Sequence, residues 1–229
     1  MSVRIEDFVA QVKGKLIVSC QARPNTPLDR PEILAAIAHS VELGGASGLR
    51  ADGAQNIAAI RQVSSLPIIG IHKTENRHEI FITPRFDHAY DLAKAGADII
   101  ALQATNPRNG DCTPLPALVS KIHTQLGLGV IADISTLAEA QEAVQIGADL
   151  VATTLSGYTP QTRDRDKPDV DLVYQIAKSG IPVIAEGRYC APESVNEALN
   201  NGALAVVVGT AITMPDRITK YFVEHMAGR

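Results

Sequence analysis

Apolar residues along this chain fall into short, dense runs: 15–21 (KLIVSCQ), 66–73 (LPIIGIHK), 98–103 (DIIALQ), 129–133 (GVIAD), 149–154 (DLVATT), 181–186 (IPVIAE) and 204–209 (LAVVVG). A shorter eighth run lies at 47–50 with its flanks. Runs that are apolar at nearly every position and rich in β-branched residues predict strands buried on both faces. Between them the apolar positions recur at helical spacing, as at Ile33, Leu34, Ile37 and Val41. This predicts helices near 31–43, 54–63, 86–94, 116–125, 136–147, 170–178, 192–201 and 215–225, with a short leading helix at 2–13. Pro31 suits a first helical turn, and Ser135 or Thr136 with Glu139 spells a capped helix start. Residues 74–83 and 156–167 read as charged or polar loops, the first with room for an extended piece at 79–83.

An internal repeat orders these elements. Gly-Gly-Ala (44–46), Ala-Gly-Ala-Asp (95–98), Ile-Gly-Ala-Asp (146–149) and Asn-Gly-Ala-Leu (201–204) each join a helix end to a strand start. A glycine cap feeding a buried parallel strand is the physical reading, and each occurrence is two βα units from the next. Parallel strands need crossover helices, and eight such units close into a barrel. The expected fold is a single (β/α)8 TIM barrel with a short N-terminal helix, one domain over 1–229. An open doubly wound sheet is the rival, but no strand start carries a Gly-x-Gly-x-x-Gly turn.

Composition narrows the function. A net charge of −4, no Trp and 4% aromatic residues leave neither a basic footprint nor stacking platforms for nucleic acid. No apolar run is long enough to span a membrane, and the charged first 15 residues have no secretory core. Cys20, Cys112 and Cys190 are odd in number and lack paired spacing, which fits reduced thiols in a cytoplasm. No His, Cys or carboxylate spacing matches a metal site; the acidic run Asp164, Asp166, Asp169 and Asp171 reads as a solvated lid.

Barrel chemistry sits at the carboxyl ends of strands. Those ends read Cys20-Gln21, Arg50, Lys73, Gln103, Asp133, Thr153-Thr154, Glu186 and Gly209-Thr210. A carboxylate closing an apolar strand is costly unless solvated or paired, so Glu186 stands out, as does Lys73. An ion pair between the two is the structural alternative to a catalytic role. Gly187-Arg188 with Gly209-Thr210 predicts a phosphate site of the kind barrels build after strands seven and eight. Because side chains alternate, a mouth-facing Lys73 sends His72 toward the helix layer. His39, His88, His123 and His225 fall on helices, on solvated or boundary faces.

The segments IIGIHK (68–73), ITP (82–84), GADIIAL (96–102), ADIST (132–136), GADLVATTLSGYT (147–159), PVIAEGR (182–188) and VVVGTAIT (206–213) resemble the N-acylglucosamine-6-phosphate 2-epimerase (N-acetylmannosamine-6-phosphate epimerase) family over essentially the whole chain. The resemblance implies a cofactor-independent (β/α)8 barrel of sialic acid catabolism that inverts C2 of an N-acylated amino sugar 6-phosphate. Carried across, its catalytic lysine and glutamate fall on Lys73 and Glu186. Its substrate contacts fall on Gln21, Arg50 and Asp133, and its phosphate contacts on Gly187, Arg188 and Gly209. Two positions depart from the pattern: Gln103 stands where the family usually has Asp, and Met214 where it usually has Arg.

C2 inversion requires a carbonyl at C1, removal of the C2 proton and its return to the opposite face. Lys73 and Glu186 can divide acid and base duties in either order, or Lys73 can act alone while Glu186 positions it. Arg50 or Gln21 could stabilise the developing oxyanion. Three other readings remain: a Schiff-base aldolase or lyase using Lys73, a sugar-phosphate binder without catalysis, and a thiamin-phosphate-synthase-like barrel, which would require a metal–pyrophosphate cluster that the sequence does not show. The apolar terminal stretch (Ile212, Ile218, Tyr221, Phe222, Val223) leaves room for a homodimer.

Overall fold

The structure is a computed structural model that describes residues 3–76, 79–105 and 112–226. Eight parallel strands close into a barrel: β1 (Leu16–Cys20), β2 (Gly48–Asp52), β3 (Ile68–Ile71), β6 (Ile99–Gln103), β7 (Gly129–Asp133), β8 (Leu150–Ala152), β9 (Val183–Glu186) and β10 (Ala205–Val208), with β10 pairing back to β1. The remaining strands, β4 (Lys73–Asn76) and β5 (Glu79–Ile82), form an antiparallel hairpin inserted after β3. The expected (β/α)8 barrel is therefore present, with eight barrel strands in sequence order.

The helices follow the sequence pattern closely. They are α1 (Val3–Val12), α2 (Pro31–Leu43), α3 (Ala54–Arg61), α4 (Phe86–Ala95), α5 (Leu115–Lys121), α6 (Leu137–Gln145), α7 (Val170–Lys178), α8 (Pro192–Asn200), α9 (Thr210–Thr213) and α10 (Pro215–His225). Thr136 caps α6 by accepting from the Glu139 N–H while the Glu139 carboxylate accepts from the Thr136 N–H, a complete capping box. The glycines of the four repeats, Gly45, Gly96, Gly147 and Gly202, all have φ between 95° and 104°, the left-handed turn that lets a helix double back into a strand. The alanines behind them (Ala46, Ala97, Ala148, Ala203) are buried.

Alternation along the strands divides the core into two. Ile17, Ile69, Ile71, Ile99, Ala101, Ile131, Leu150, Ala152, Ile184, Ala205 and Val207 point inward and pack with Ile5, Phe8 and Val12 of α1, which plugs the amino-terminal floor. Their strand neighbours, such as Val18, Leu49, Ile68, Ile100, Val130, Val151 and Val206, face the helix ring. The interior is a packed core rather than a pore. Its one open end is the carboxyl-terminal mouth.

Several expectations need correction. Strand three does not reach Lys73: it stops at Ile71, and Lys73 opens the hairpin, so residues 74–76 are strand rather than loop, while the extended piece expected at 79–83 is β5 (Glu79–Ile82). Strand six stops at Ala152, and Thr153–Leu155 turn as a 3-10 helix, because their hydroxyls bond neighbouring elements instead of a strand ladder. The helix expected over 116–125 is α5 followed by a π-helical turn over Ile122–Leu126. The short α9 had no counterpart in the apolar pattern. The loop that the sequence predicts over 106–113 lies mostly outside the described residues, which resume at Cys112.

Candidate active site

Inward parity carries straight from the apolar core to the polar mouth. On β1 the inward series Ile17, Ser19 ends on Gln21; on β2 it passes Arg50 to Asp52; on β3, Ile69 and Ile71 lead to Lys73. On β7, Ile131 leads to Asp133, and on β9, Ile184 leads to Glu186. Five side chains named from the sequence, Gln21, Arg50, Lys73, Asp133 and Glu186, thus meet at one end of the barrel.

Arg50 is the hub. It is 1% exposed and forks onto Asp133, itself fully buried, with Nη1–Oδ1 at 3.1 Å and Nη2–Oδ2 at 2.6 Å. Its Nη1 also lies 3.0 Å from Oε2 of Glu186. Thr154 donates its hydroxyl toward both carboxylates, 2.7 Å from Asp133 Oδ1 and 3.0 Å from Glu186 Oε2. The structural alternative of a Lys73–Glu186 ion pair is not what forms: Glu186 takes Arg50. Burial alone discourages the Arg50 cation, but Asp133 and Glu186 together hold it more firmly charged than usual.

Lys73 sits across the mouth with a different partner. Its ammonium donates to Oε1 of Gln21, whose amide nitrogen donates to the Ser19 hydroxyl at 2.6 Å. Its backbone N–H donates to Asp52 at 3.0 Å. Desolvation lowers the Lys73 pKa below the ordinary lysine value; Asp52 opposes this shift and Arg50 adds to it. Desolvation raises Glu186 above the usual carboxylate value, against the pull of Arg50. The two groups are therefore pushed toward each other in pKa from opposite sides, the arrangement that suits acid–base work near neutrality.

The residues that the sequence suggests for a phosphate site follow β9 and β10 directly. Gly187 has φ 115° and Arg188 has φ 62°, so the chain reverses sharply right after β9. The Arg188 guanidinium donates to the Ser156 carbonyl at 2.7 Å and stacks 4.2 Å over the Tyr158 ring. A Cβ at Gly157 would collide with it, so glycine there is required for the stack. Gly209 precedes α9 and would meet Ser19 if it carried a Cβ, at 3.1 Å. Thr210 is exposed, and its hydroxyl faces the Met214 sulfur at 3.7 Å. Gln103 turns to the hairpin: its Nε2 donates to Thr105 at 2.8 Å and its Oε1 accepts from Ile82 N–H at 3.4 Å.

Other candidates resolve as follows. His72 does face the helix layer, stacking on His88 of α4 with ring centroids 4.2 Å apart. His88 is buried rather than on a solvated or boundary face, because His72 covers it. Asp169 of the acidic run is also buried, caps α7 and binds Ser156 and Arg165, so the run is not simply a solvated lid. Among the described residues no group of three or more His, Cys, Asp or Glu is arranged to hold a metal ion. Asp52, Thr154 and Ser19 join the cluster without having been named as site residues. Asp52 was hidden because strand two runs two residues further than its apolar run. Thr154 was legible only as a strand end.

Similarity to known proteins decides the family. Residues 34–228 match the sequence model of the family described as "Putative N-acetylmannosamine-6-phosphate epimerase". The chain belongs to this family. It is 41% identical over 226 residues to the protein named "Putative N-acetylmannosamine-6-phosphate 2-epimerase" of Caldanaerobacter subterraneus, covering 97% of this chain and 95% of that protein. It is 46% identical over 221 residues to the bifunctional enzyme NanE/NanK of Brucella melitensis, and there spans 95% of this chain but only 42% of the relative. The solved N-acetylmannosamine-6-phosphate 2-epimerase of Clostridium perfringens superimposes with a TM-score of 0.90 at 43% identity, covering 94% of this chain and 95% of that one. A thiamine phosphate pyrophosphorylase of Pyrococcus furiosus, at 20% identity and a TM-score of 0.61, shares the fold alone. In this chain, Lys73, Glu186 and the Arg50–Asp133 pair occupy one mouth of the barrel.

Proposed function

We propose that this protein is an isomerase that interconverts N-acetylmannosamine 6-phosphate and N-acetylglucosamine 6-phosphate by taking a proton from C2 and returning one to the opposite face, without a cofactor. One observation carries the reading. Lys73 and Glu186 sit on inward positions of one barrel mouth, on separate hydrogen-bonded supports, with pKa values displaced toward neutrality. Such a pair can serve two faces of a planar intermediate, which a single base cannot do as readily.

The open-chain sugar, with C1 as aldehyde, has an acidified C2 proton. Glu186 is held by Arg50 and Thr154, and Lys73 by Gln21, so each presents its polar tip from a fixed position. Arg50 lies at the developing negative charge in this reading, already desolvated, and Gln21 supplies a second donor near Lys73. Gly187, Arg188, Gly209 and Thr210 take the 6-phosphate, with the Arg188 fork supplying the charge-assisted contact. The whole chain acts as one domain in the cytoplasm. Among the described residues no helix is long and apolar enough to cross a membrane. Exposed Tyr221, Phe222 and Val223 on α10, a helix with no buried residue among those described, support a homodimer. Sedimentation at micromolar concentration checks it; a monomer there removes the dimer from this reading.

The reaction is tested in deuterated water. Both epimers should acquire deuterium at C2 as they interconvert, and the unphosphorylated sugar should react far more slowly, since phosphate binding energy orients the reacting centre. Interconversion without label at C2 would end the proton-transfer reading. Borohydride trapping of substrate on Lys73 would move the protein to the Schiff-base class, and binding without exchange would leave a sugar-phosphate binder.

A further inference from the structure

Thr83 closes the hairpin that begins at Lys73, and nothing in the reaction above uses it. It is fully buried, with φ 46°. A left-handed backbone is an outlier for a β-branched residue, and the following Pro84 disfavours helical conformations still further. Such a conformation persists only where the surroundings over-determine it.

The surroundings here are specific. The Thr83 hydroxyl accepts from His72 N–H at 3.1 Å and donates to the Ala101 carbonyl of β6 at 2.7 Å, and the Thr83 N–H donates to the His72 carbonyl at 2.7 Å. Pairing between β3 and β6 runs through Ile69–Ile99 and Gly70–Ile100 and goes no further. Beyond that point the Thr83 side chain joins the two strand ends. The residue it grips, His72, is fixed on its outer side by the stack on His88. The next residue is Lys73, paired with Ile82 in the hairpin. Thr153 plays the matching part at the other strand end: its hydroxyl accepts from Glu186 N–H at 3.0 Å and donates to the Glu186 carbonyl at 2.9 Å.

We propose that Thr83 is a positioning residue for Lys73, its hydroxyl fixing the break between β3 and the hairpin so that the Lys73 ammonium stays hydrogen-bonded to Gln21. The proposal deepens the reading given under Proposed function and rests on it for the role of Lys73. Replacing the hydroxyl by a methyl, in Thr83→Val, keeps the shape and the β-branching but removes both bonds. His72 N–H and Ala101 C=O then lose their shared partner, the break loosens, and the Lys73 ammonium is no longer held at Gln21. The charged groups around Lys73 are Asp52 and Arg50 from β2, Asp133 from β7 and Glu186 from β9, and all are unchanged in the variant.

Two measurements on the full chain decide the matter: turnover of N-acetylmannosamine 6-phosphate, and the pH dependence of Lys73 modification by trinitrobenzenesulfonate, followed by peptide mass spectrometry. Thr83→Val should lower kcat by about 10- to 100-fold, the scale of a misplacement near 1 Å, with KM changed far less. The Lys73 labelling midpoint should rise toward that of an ordinary lysine, and Thr83→Ser should restore both values. Normal kcat and an unmoved midpoint in a folded Thr83→Val protein would overturn the proposal, as would a Thr83→Ser variant equally impaired. If Thr83→Val fails to fold by circular dichroism, Thr83→Ala against Thr83→Ser is read by the same criterion; failure of both Val and Ala to fold would make Thr83 a folding residue and overturn the positioning role. Lys73→Ala is the control that separates the two readings. An active Lys73→Ala enzyme removes lysine from the mechanism, while the labelling midpoint still reports whether Thr83 positions it.

Discussion

At the scale of single residues, this mouth works by removing water from charges that would otherwise be ordinary. Lys73 and Glu186 each lose hydration, and each is pushed toward its neutral form. The shifts have opposite signs on the pH axis. A raised Glu186 pKa moves the acid limb of kcat/KM to higher pH than an ordinary carboxylate near 4.5 gives. A lowered Lys73 pKa moves the alkaline limb to lower pH than an ordinary lysine near 10.5 gives. The expected profile is a bell narrowed from both sides, whichever group is acid and whichever is base. Glu186→Gln should cut turnover by at least ~10²-fold and abolish the acid limb of what activity remains. A Glu186→Gln enzyme that keeps that limb would assign it to another group, Asp133 being the nearest carboxylate on the same arginine. Arg50 and Asp133 form a buried pair whose separation is costly: removing one partner of such a pair typically costs about 3–5 kcal/mol. Loss of activity in an Arg50 variant therefore has to be read beside its stability.

At the scale of elements, the same local device recurs: a hydroxyl or carboxylate satisfies backbone groups where a strand or helix ends. Thr153 does so at β9, Asp169 at α7, and Thr136 with Glu139 at α6. The Thr136 side chain bonds Glu139 rather than any of the five mouth residues, so the α6 box tests local stability. Thr136→Ala should cost about 1 kcal/mol, the usual value of an N-cap, seen as a lower urea midpoint with unchanged slope and with turnover retained. A midpoint equal to that of the parent would mean that barrel packing, rather than the cap, fixes this helix start. The hairpin β4–β5 is the element that departs most from a plain barrel. It takes Lys73 off the barrel strand and hangs it on Asp52, Thr83 and Gln103, which bind its backbone or its neighbours. Gln103 is thereby a hairpin contact, its Oε1 accepting from Ile82 N–H.

At the scale of the whole molecule, the chain builds a cylinder with one closed end and one polar end. The floor is α1, whose Ile5, Phe8 and Val12 fill the inside against Ile17, Ile69, Ile99 and Ile131. Gly129 lies so close to Ile5 that a Cβ there would come within 2.8 Å of its Cδ1, a measure of how tightly the floor is seated. Phe8→Ala should destabilise the protein by about 3–5 kcal/mol, read from denaturant unfolding, while kcat at low temperature stays near the parent value because the mouth is at the opposite end. A cost below ~1 kcal/mol would show α1 to be a loose appendage.

What the sequence determined by itself was everything that depends on periodicity and on local backbone chemistry. Strands buried on both faces, glycine caps at left-handed φ, the capping box of α6 and the inward parity that collects Gln21, Arg50, Asp133 and Glu186 are all written in neighbouring residues. Parity even sent His72 outward, onto His88. What only the tertiary structure decided was which charges meet. Lys73 and Glu186 were the obvious pair by type, yet Glu186 joins Arg50 and Lys73 joins Gln21, because strand order and stagger around the closed barrel fix which side chains come within about 3 Å. The burial of His88 and Asp169 and the hairpin that carries Lys73 were decided in the same way. Each depends on a partner 11 to 16 residues distant, or on surface that another element covers, and no local pattern records that.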